Sequence, residues 1–188
     1  MNKFYLLILF LIVKSIYLPL NKRKSKYYWK IKIDDKIPLI PIFIIPYLGY
    51  FLYIIFTIVT LWGTSHINSF FISYMIAYVI AGLFWYLFPN GVIRPKITSK
   101  DVFSKISKFI YDIDDDTNGF PSAHIFATII CSYFLYINFP QFIFLLLFVS
   151  LLITVSTVLT KQHYLVDILG GIFVAYLAIM TTIIWSIH

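Results

Sequence analysis

The most constraining feature of this sequence is a series of six apolar runs separated by polar segments. They cover residues 4–20, 42–62, 70–88, 122–137, 142–159 and 164–187. The hydrocarbon core of a bilayer is about 30 Å thick, so a run of roughly 17–25 apolar residues is typical of a transmembrane helix. Unbroken rather than alternating apolar runs predict helices and not the strands of a barrel. We therefore predict an all-α, polytopic membrane bundle of about six transmembrane helices.

The composition excludes a water-soluble domain. Hydrophobic residues make up 61% of the chain and charged residues 12%, whereas globular chains are roughly 45–50% apolar and about 25% charged. The first run, 4–20, lacks the cleavage site of a signal peptide and is expected to be an uncleaved anchor. Its Lys14 is expected to snorkel or to face other helices. We expect one integral membrane domain over residues 1–188, with an anchor span at 4–20 and a core at about 37–187.

A polar stretch between the third and fourth runs has the pattern of a surface helix. Apolar residues recur there at helical spacing beside Lys105 and Lys108, which predicts an amphipathic helix lying on the membrane surface. The apolar positions are Val102, Ile106, Phe109, Ile110 and Ile113.

The basic residues are distributed unevenly over the predicted topology. With six spans, segments 21–36, 89–121 and 160–163 share one face of the membrane, and they hold 13 of the 15 Lys and Arg residues. In a membrane protein an excess of Lys and Arg on one face reflects the orientation of the chain in the membrane. The net charge of +7 therefore does not indicate a nucleic-acid partner. The same face carries three polar segments of chemical interest.

The first of these segments is Arg94-Pro95, just after the third run. A basic residue at the edge of a membrane can serve as a topology anchor alone. The planar guanidinium of Arg is also the side chain best suited to grip two phosphate oxygens at once. Position alone leaves both roles open for Arg94.

The second segment leads from Pro121 into the fourth run. A Pro near the first helical position favours a helix start, so we expect the N–H groups of Ser122 and Ala123 to point outward as a cradle for an anion. Ser122 adds a hydroxyl donor, and His124 on the first turn is placed to give a proton to a leaving oxygen. A simple N-cap followed by an interfacial histidine is the alternative.

The third segment contains His163 and Asp167, which are four residues apart and therefore share one helical face. The carboxylate can accept a hydrogen bond from one ring nitrogen and leave the other free as a nucleophile or base. An ionisable residue inside an apolar helix is costly and is a functional candidate, although a structural pair locking two helices is the alternative. Gly170 and Gly171 are expected to permit close helix packing.

The acidic run between the surface helix and the fourth run is a weaker candidate. Its carboxylates are hard oxygen ligands, but they lack the spacing of a calcium loop. We expect a solvated acidic patch and predict no metal site. The residues are Asp112, Asp114, Asp115 and Asp116.

Together, the three polar segments resemble the signature of the type 2 phosphatidic acid phosphatase family, which also includes vanadium haloperoxidases, glucose-6-phosphatase and the inositol phosphorylceramide synthases. That signature is Lys, six residues, Arg-Pro; then Pro-Ser-x-His; then Ser-Arg, five residues, His, three residues, Asp. Arg94-Pro95 matches the end of the first motif, and residues 121–124 match the second in full. The third is matched by Ser156, His163 and Asp167.

The resemblance implies that His163 attacks phosphorus to give a phosphohistidine, that Asp167 orients it, and that His124 protonates the leaving group. It also implies that Arg94, Ser122 and the Ala123 N–H bind the phosphoryl oxygens. It implies no metal and no cofactor.

Two basic positions of the signature are changed in this chain. Leu87 stands where the family has Lys, and Thr157 stands where it has Arg. The Thr-Lys-Gln-His-Tyr segment at 160–164 resembles the branch near the inositol phosphorylceramide synthases. We expect Lys161 to supply the lost charge to the phosphate, with Lys96 as the second choice.

The resemblance implies a membrane phosphatase acting on a lipid phosphate or an isoprenoid diphosphate, with residues at about 37–187 as its catalytic core. A lipid phosphotransferase and a non-catalytic membrane protein are the alternatives. We expect a multi-pass protein of the cell membrane whose partners are the lipid substrate and the bilayer. The family architecture places the active face outside and the charge distribution places it inside, so the sequence leaves its orientation open, as it does the oligomeric state.

Overall fold

The computed structural model describes residues 2–187, with side chains as far as residue 185. This part of the chain is helical and contains no β-strand, which confirms the predicted all-α bundle. The helices are α1 (Lys3–Ser15), α2 (Tyr17–Asn21), α3 (Ile44–Leu61), α4 (Ile67–Leu87), α5 (Val102–Ile113), α6 (Ala123–Asn138), α7 (Ile143–Leu159) and α8 (Leu165–Ile187).

The predicted transmembrane runs appear as helices, but they are not equally long. Five helical segments within residues 2–187 are long and apolar enough to cross a membrane: Lys3–Asn21, Pro41–Leu61, Ile67–Leu87, Pro140–Leu159 and Leu165–Trp185. Helix α6 has only 16 residues, or about 24 Å. It is largely buried and packs against α3, α4, α7 and α8. A helix enclosed by protein need not match the bilayer thickness, so α6 is the short central helix of the bundle.

Two prolines set helix boundaries that the hydropathy pattern did not resolve. The predicted run 4–20 is split at Ile16 into α1 and α2, because the ring of Pro19 clashes with the carbonyl of Ser15 in a continuous helix. Pro46 lies in the first turn of α3, where a missing N–H leaves no helical bond unmade. The α-helix accordingly begins at Ile44 after a short 3₁₀ turn.

The predicted surface helix is present, and all five predicted apolar positions lie within α5. Asp101 caps α5 by accepting a hydrogen bond from the Ser104 N–H at 3.0 Å. The side chains of Val102, Phe109 and Ile113 are exposed. An exposed apolar face on a short helix with lysines beside it fits a position on the membrane surface.

The polar segments 22–40, 88–122 and 160–164 pack together at one end of the bundle. Tyr27 pairs with Asn90 in an isolated β-bridge, and the ring of Trp29 lies 4.9 Å from that of Phe120. Of the expected solvated acidic patch, Asp112 is exposed, but the other three carboxylates are tied into this layer. Asp114, Asp115 and Asp116 bond to Arg94, Lys22 and Ser25 respectively.

Two glycines let α8 approach the start of α6. A Cβ at Gly171 would lie 2.6 Å from the Ile125 Cβ and 2.9 Å from the Ser122 carbonyl oxygen. A Cβ at Gly170 would overlap the ring of Phe120. The predicted close packing is confirmed, and it brings the start of α8, with Asp167, next to the start of α6, with His124.

We expect Gly171→Ala to destabilise the protein by about 1–3 kcal/mol, because the added methyl group overpacks a contact that includes backbone. Gly49→Ala is the matched control, since a Cβ there has no heavy atom within 4 Å and alanine favours the helix. Thermal melting in detergent measures both variants. Equal melting temperatures for the two variants would contradict this account of the α6–α8 contact.

Candidate active site

One cavity of about 480 Å³ connects the polar layer with the interior of the bundle. Side chains of α1, α2, α3 and α5 form most of its wall, and these are largely apolar or aromatic. Its polar lining includes His124, His163, Asp114 and Asn118. Such a cavity, apolar with a few convergent polar groups, is typical of a site for an amphipathic small molecule.

His163 lies in the turn between α7 and α8, and backbone hydrogen bonds fix its position. Lys161 adopts a left-handed conformation with φ 54°, which ends α7. The N–H groups of Gln162 and His163 then both donate to the Thr157 carbonyl, at 2.9 and 3.1 Å. This turn carries His163 back over the start of α8 and into the wall of the cavity.

Asp167 pairs with His163 as the four-residue spacing predicts. The His163 Nδ1 and the Asp167 Oδ2 are 3.3 Å apart, and both side chains are buried. The same Oδ2 accepts the Tyr164 N–H at 2.8 Å, which is a helix-capping bond that fixes the carboxylate. With Nδ1 engaged, the His163 Nε2 is left for chemistry.

His124 lies on the first turn of α6, facing His163. The two ring centroids are 5.8 Å apart. The ring of Tyr47 stacks on His124 with centroids 4.3 Å apart, and Tyr50 lies at the same distance in a tilted arrangement. Both tyrosines come from α3 and were not among the predicted site residues. They hold the His124 ring in place, and its Nε2 is buried without a hydrogen-bond partner in residues 2–185.

The predicted anion cradle at the start of α6 is only partly present. The Ser122 N–H donates to the Asp167 carbonyl at 3.1 Å, so the prediction that it points outward is wrong. This bond arises because Gly171 lets α8 approach so closely. Ala123 occupies the first helical position and lines the cavity, and an N–H there has no partner within the helix. The Ser122 hydroxyl is buried and unpartnered among the described residues.

Arg94 lies beside the cavity, held by the acidic segment. Its guanidinium donates to the carbonyl oxygens of Asp114 and Asp115, to the Asp114 carboxylate and to the Gln162 Oε1. Its Nε has no partner in the described part of the chain. Burial raises the pKa of the Asp114 carboxyl above its ordinary value, and the Arg94 charge opposes that shift.

Several buried polar atoms of these residues have no hydrogen-bond partner in the described part of the chain. Buried polar groups in native proteins nearly always have hydrogen-bond partners, so a group of exceptions needs an explanation. A bound anion with several oxygens would satisfy the donors among them. The unpartnered atoms include the Ser122 Oγ, the His124 Nε2, the Arg94 Nε and the Gln162 Nε2.

The structure does not bring Lys161 into this group. Its Nζ donates to the Asp34 carbonyl at 3.0 Å, and burial lowers the pKa of its ammonium group. Asp34 in turn accepts the Leu165 N–H at 3.0 Å and so caps α8. Asp34 is a supporting residue that the sequence analysis missed, because a cap 131 positions away leaves no local pattern.

No group of three His, Cys, Asp or Glu side chains within the described residues is arranged to hold a metal ion.

A family model described as the PAP2 superfamily matches residues 36–181. Searches of curated proteins and of solved structures give no match. The matched region contains Arg94, His124, His163 and Asp167, and it leaves out α1 and α2.

Proposed function

Because the chain belongs to the PAP2 superfamily, we propose that it is a membrane hydrolase that removes phosphate from a lipid phosphate or an isoprenoid diphosphate. Membership of this superfamily supports an activity of the phosphatase type, or a related one, that is directed at lipid phosphates. The chain is an integral membrane protein with five helices of spanning length in residues 2–187. We place it in the cell membrane.

In the proposed reaction, the His163 Nε2 attacks the phosphorus atom while the bond to the leaving oxygen breaks. The electron pair stays on that oxygen, and His124 donates a proton to it. Water then attacks the phosphohistidine, its proton passes to His124, and phosphate leaves with His163 restored. Asp167 accepts the Nδ1–H bond and stabilises the positive charge on the ring during attack. The reaction as proposed uses no metal ion.

The phosphoryl oxygens need donors that are already in place, since phosphoryl transfer depends mainly on positioning and charge neutralisation. We assign this role to Arg94, Ser122 and the Ala123 N–H. The unpartnered Ser122 Oγ and Arg94 Nε support this assignment. The helix start at Ala123 adds a favourable dipole for an anion.

One observation carries the proposal: His163, which is paired with the buried Asp167, and His124, whose ring centroid is 5.8 Å from that of His163, line one cavity whose remaining wall is largely apolar. A polar reaction centre suits a phosphate, and an apolar wall open to α1 and α3 suits a hydrocarbon chain. A water-soluble phosphate ester would gain nothing from that wall.

A lipid phosphotransferase is the second candidate, because the segment 160–164 resembles that of the inositol phosphorylceramide synthases. The same phosphohistidine would then be resolved by a lipid alcohol instead of water. The residues with assigned roles are the same for both reactions.

Purified protein assayed with phosphatidate and with an isoprenyl diphosphate, each with and without a lipid alcohol, separates the candidates. We expect inorganic phosphate to be released without an acceptor. Transfer to the alcohol with no free phosphate would establish the phosphotransferase instead. No turnover of either lipid would contradict both.

A further inference from the structure

The proposed site is short of positive charge. The Arg94 guanidinium already bonds to the Asp114 carboxylate and to two carbonyl oxygens of the acidic segment. Leu87 and Thr157 occupy the two positions where the family signature has a Lys and an Arg. Leu87 is exposed, and the Thr157 hydroxyl donates a hydrogen bond within its own helix. A phosphate bound beside Asp114 therefore needs a cation from elsewhere.

Lys14 of α1 is a cation in the wall of the same cavity. Its Nζ lies 5.6 Å from the centroid of the Phe51 ring, and that ring lies 6.2 Å from the ring of His124. Within residues 2–185 the Lys14 ammonium group has no hydrogen-bond or ion-pair partner.

Lys14 lies within its helical segment, Lys3–Asn21, and not at its end. Lys14 is seven residues before Asn21, about 10 Å below the end of the helical segment. An ammonium group this deep in a membrane helix is costly, and such residues normally have a functional partner. Lys3 is the contrasting case, because its Nζ donates to the Trp62 carbonyl at 2.9 Å at the far end of the same helix.

We propose that Lys14 binds the phosphate group of the lipid substrate, together with Arg94 and the start of α6. This inference rests on the proposed function, and it assigns a substrate-binding residue to a helix that the family match leaves out. The contact with Phe51 holds the ammonium group beside the cavity while no phosphate is bound. An ammonium group can donate three hydrogen bonds, and a phosphate offers it a full ionic partner in place of the ring.

The test compares Lys14→Met with Lys14→Arg and with the matched control Lys3→Met. We expect Lys14→Met to lower kcat/KM for the lipid phosphate about 10- to 100-fold, mainly through KM. Inhibition by inorganic phosphate should weaken by a similar factor, while Lys14→Arg keeps most of the affinity. Lys3→Met should match the wild type. Thermal melting should show no loss of stability in Lys14→Met, since the change removes an unpaired charge.

Two further variants keep the outcomes distinguishable. Unchanged KM and phosphate inhibition in Lys14→Met, with no activity in His163→Ala, would overturn the role of Lys14 and leave the proposed function intact. Loss of affinity in Lys161→Met but not in Lys14→Met would overturn it in favour of the other lysine. Full activity in His163→Ala would show that the proposed function itself had failed.

Discussion

His163→Ala is expected to abolish turnover, with a fall in kcat of about 10⁴-fold or more. This is the scale of loss when a covalent nucleophile is removed from an enzyme. In the proposed reaction the His163 Nε2 is the atom that bonds to phosphorus, and no other group in the cavity has that role. Initial rates of phosphate release from a lipid phosphate measure the effect.

His66→Ala is the matched control for that variant. His66 lies outside the cavity wall, in the loop before α4, where its Nδ1 is 3.0 Å from the Asn138 Oδ1. It should keep wild-type activity, and both variants should melt as folded proteins. Wild-type turnover in a folded His163→Ala protein would show that His163 is not the nucleophile.

His124→Gln is expected to lower kcat/KM, which reports formation of the phosphohistidine, by about 10²- to 10⁴-fold for an alkyl phosphate, since an alkoxide is a poor leaving group and needs a proton. The loss should shrink to about tenfold or less for an aryl phosphate, whose phenolate leaves without protonation. Paired measurements of kcat/KM for the two substrates give the comparison, because hydrolysis of the common phosphohistidine does not enter that ratio.

The leaving-group comparison separates acid catalysis from a structural role of His124. The ring packs between Tyr47 and Tyr50, so a purely structural disturbance would affect the two substrates alike. Equal losses for alkyl and aryl phosphates would therefore contradict the role of His124 as a general acid.

Local patterns predicted much of this fold. The 3.6-residue spacing predicted α5, and the four-residue spacing predicted the contact between His163 and Asp167. Gly170 and Gly171 indicated close helix packing, which the structure shows between α8 and the start of α6 at Gly171. Each of these features depends either on the spacing of residues within one helix or on a glycine. Spacing and glycines can both be read directly from the sequence.

The parts of the site that sequence did not predict depend on distant partners. The Ser122 N–H is taken by the Asp167 carbonyl, and Arg94 is enclosed by the acidic segment. Tyr47 reaches His124 from another helix, and Asp34 caps α8 from a segment near the start of the chain. Such contacts are set by how the helices pack, which periodicity in a single sequence does not specify.

Trapping the covalent intermediate tests the central claim most directly. His124→Gln protein, mixed with an aryl phosphate labelled in its phosphoryl group and quenched in base, should accumulate the intermediate, because His124 also assists the attack of water. We expect acid-labile, base-stable phosphate on the peptide that contains His163, and none in the double variant with His163→Ala. Label on His124 or Ser122 in the wild-type protein, or none at His163 in a protein that turns over, would contradict the account.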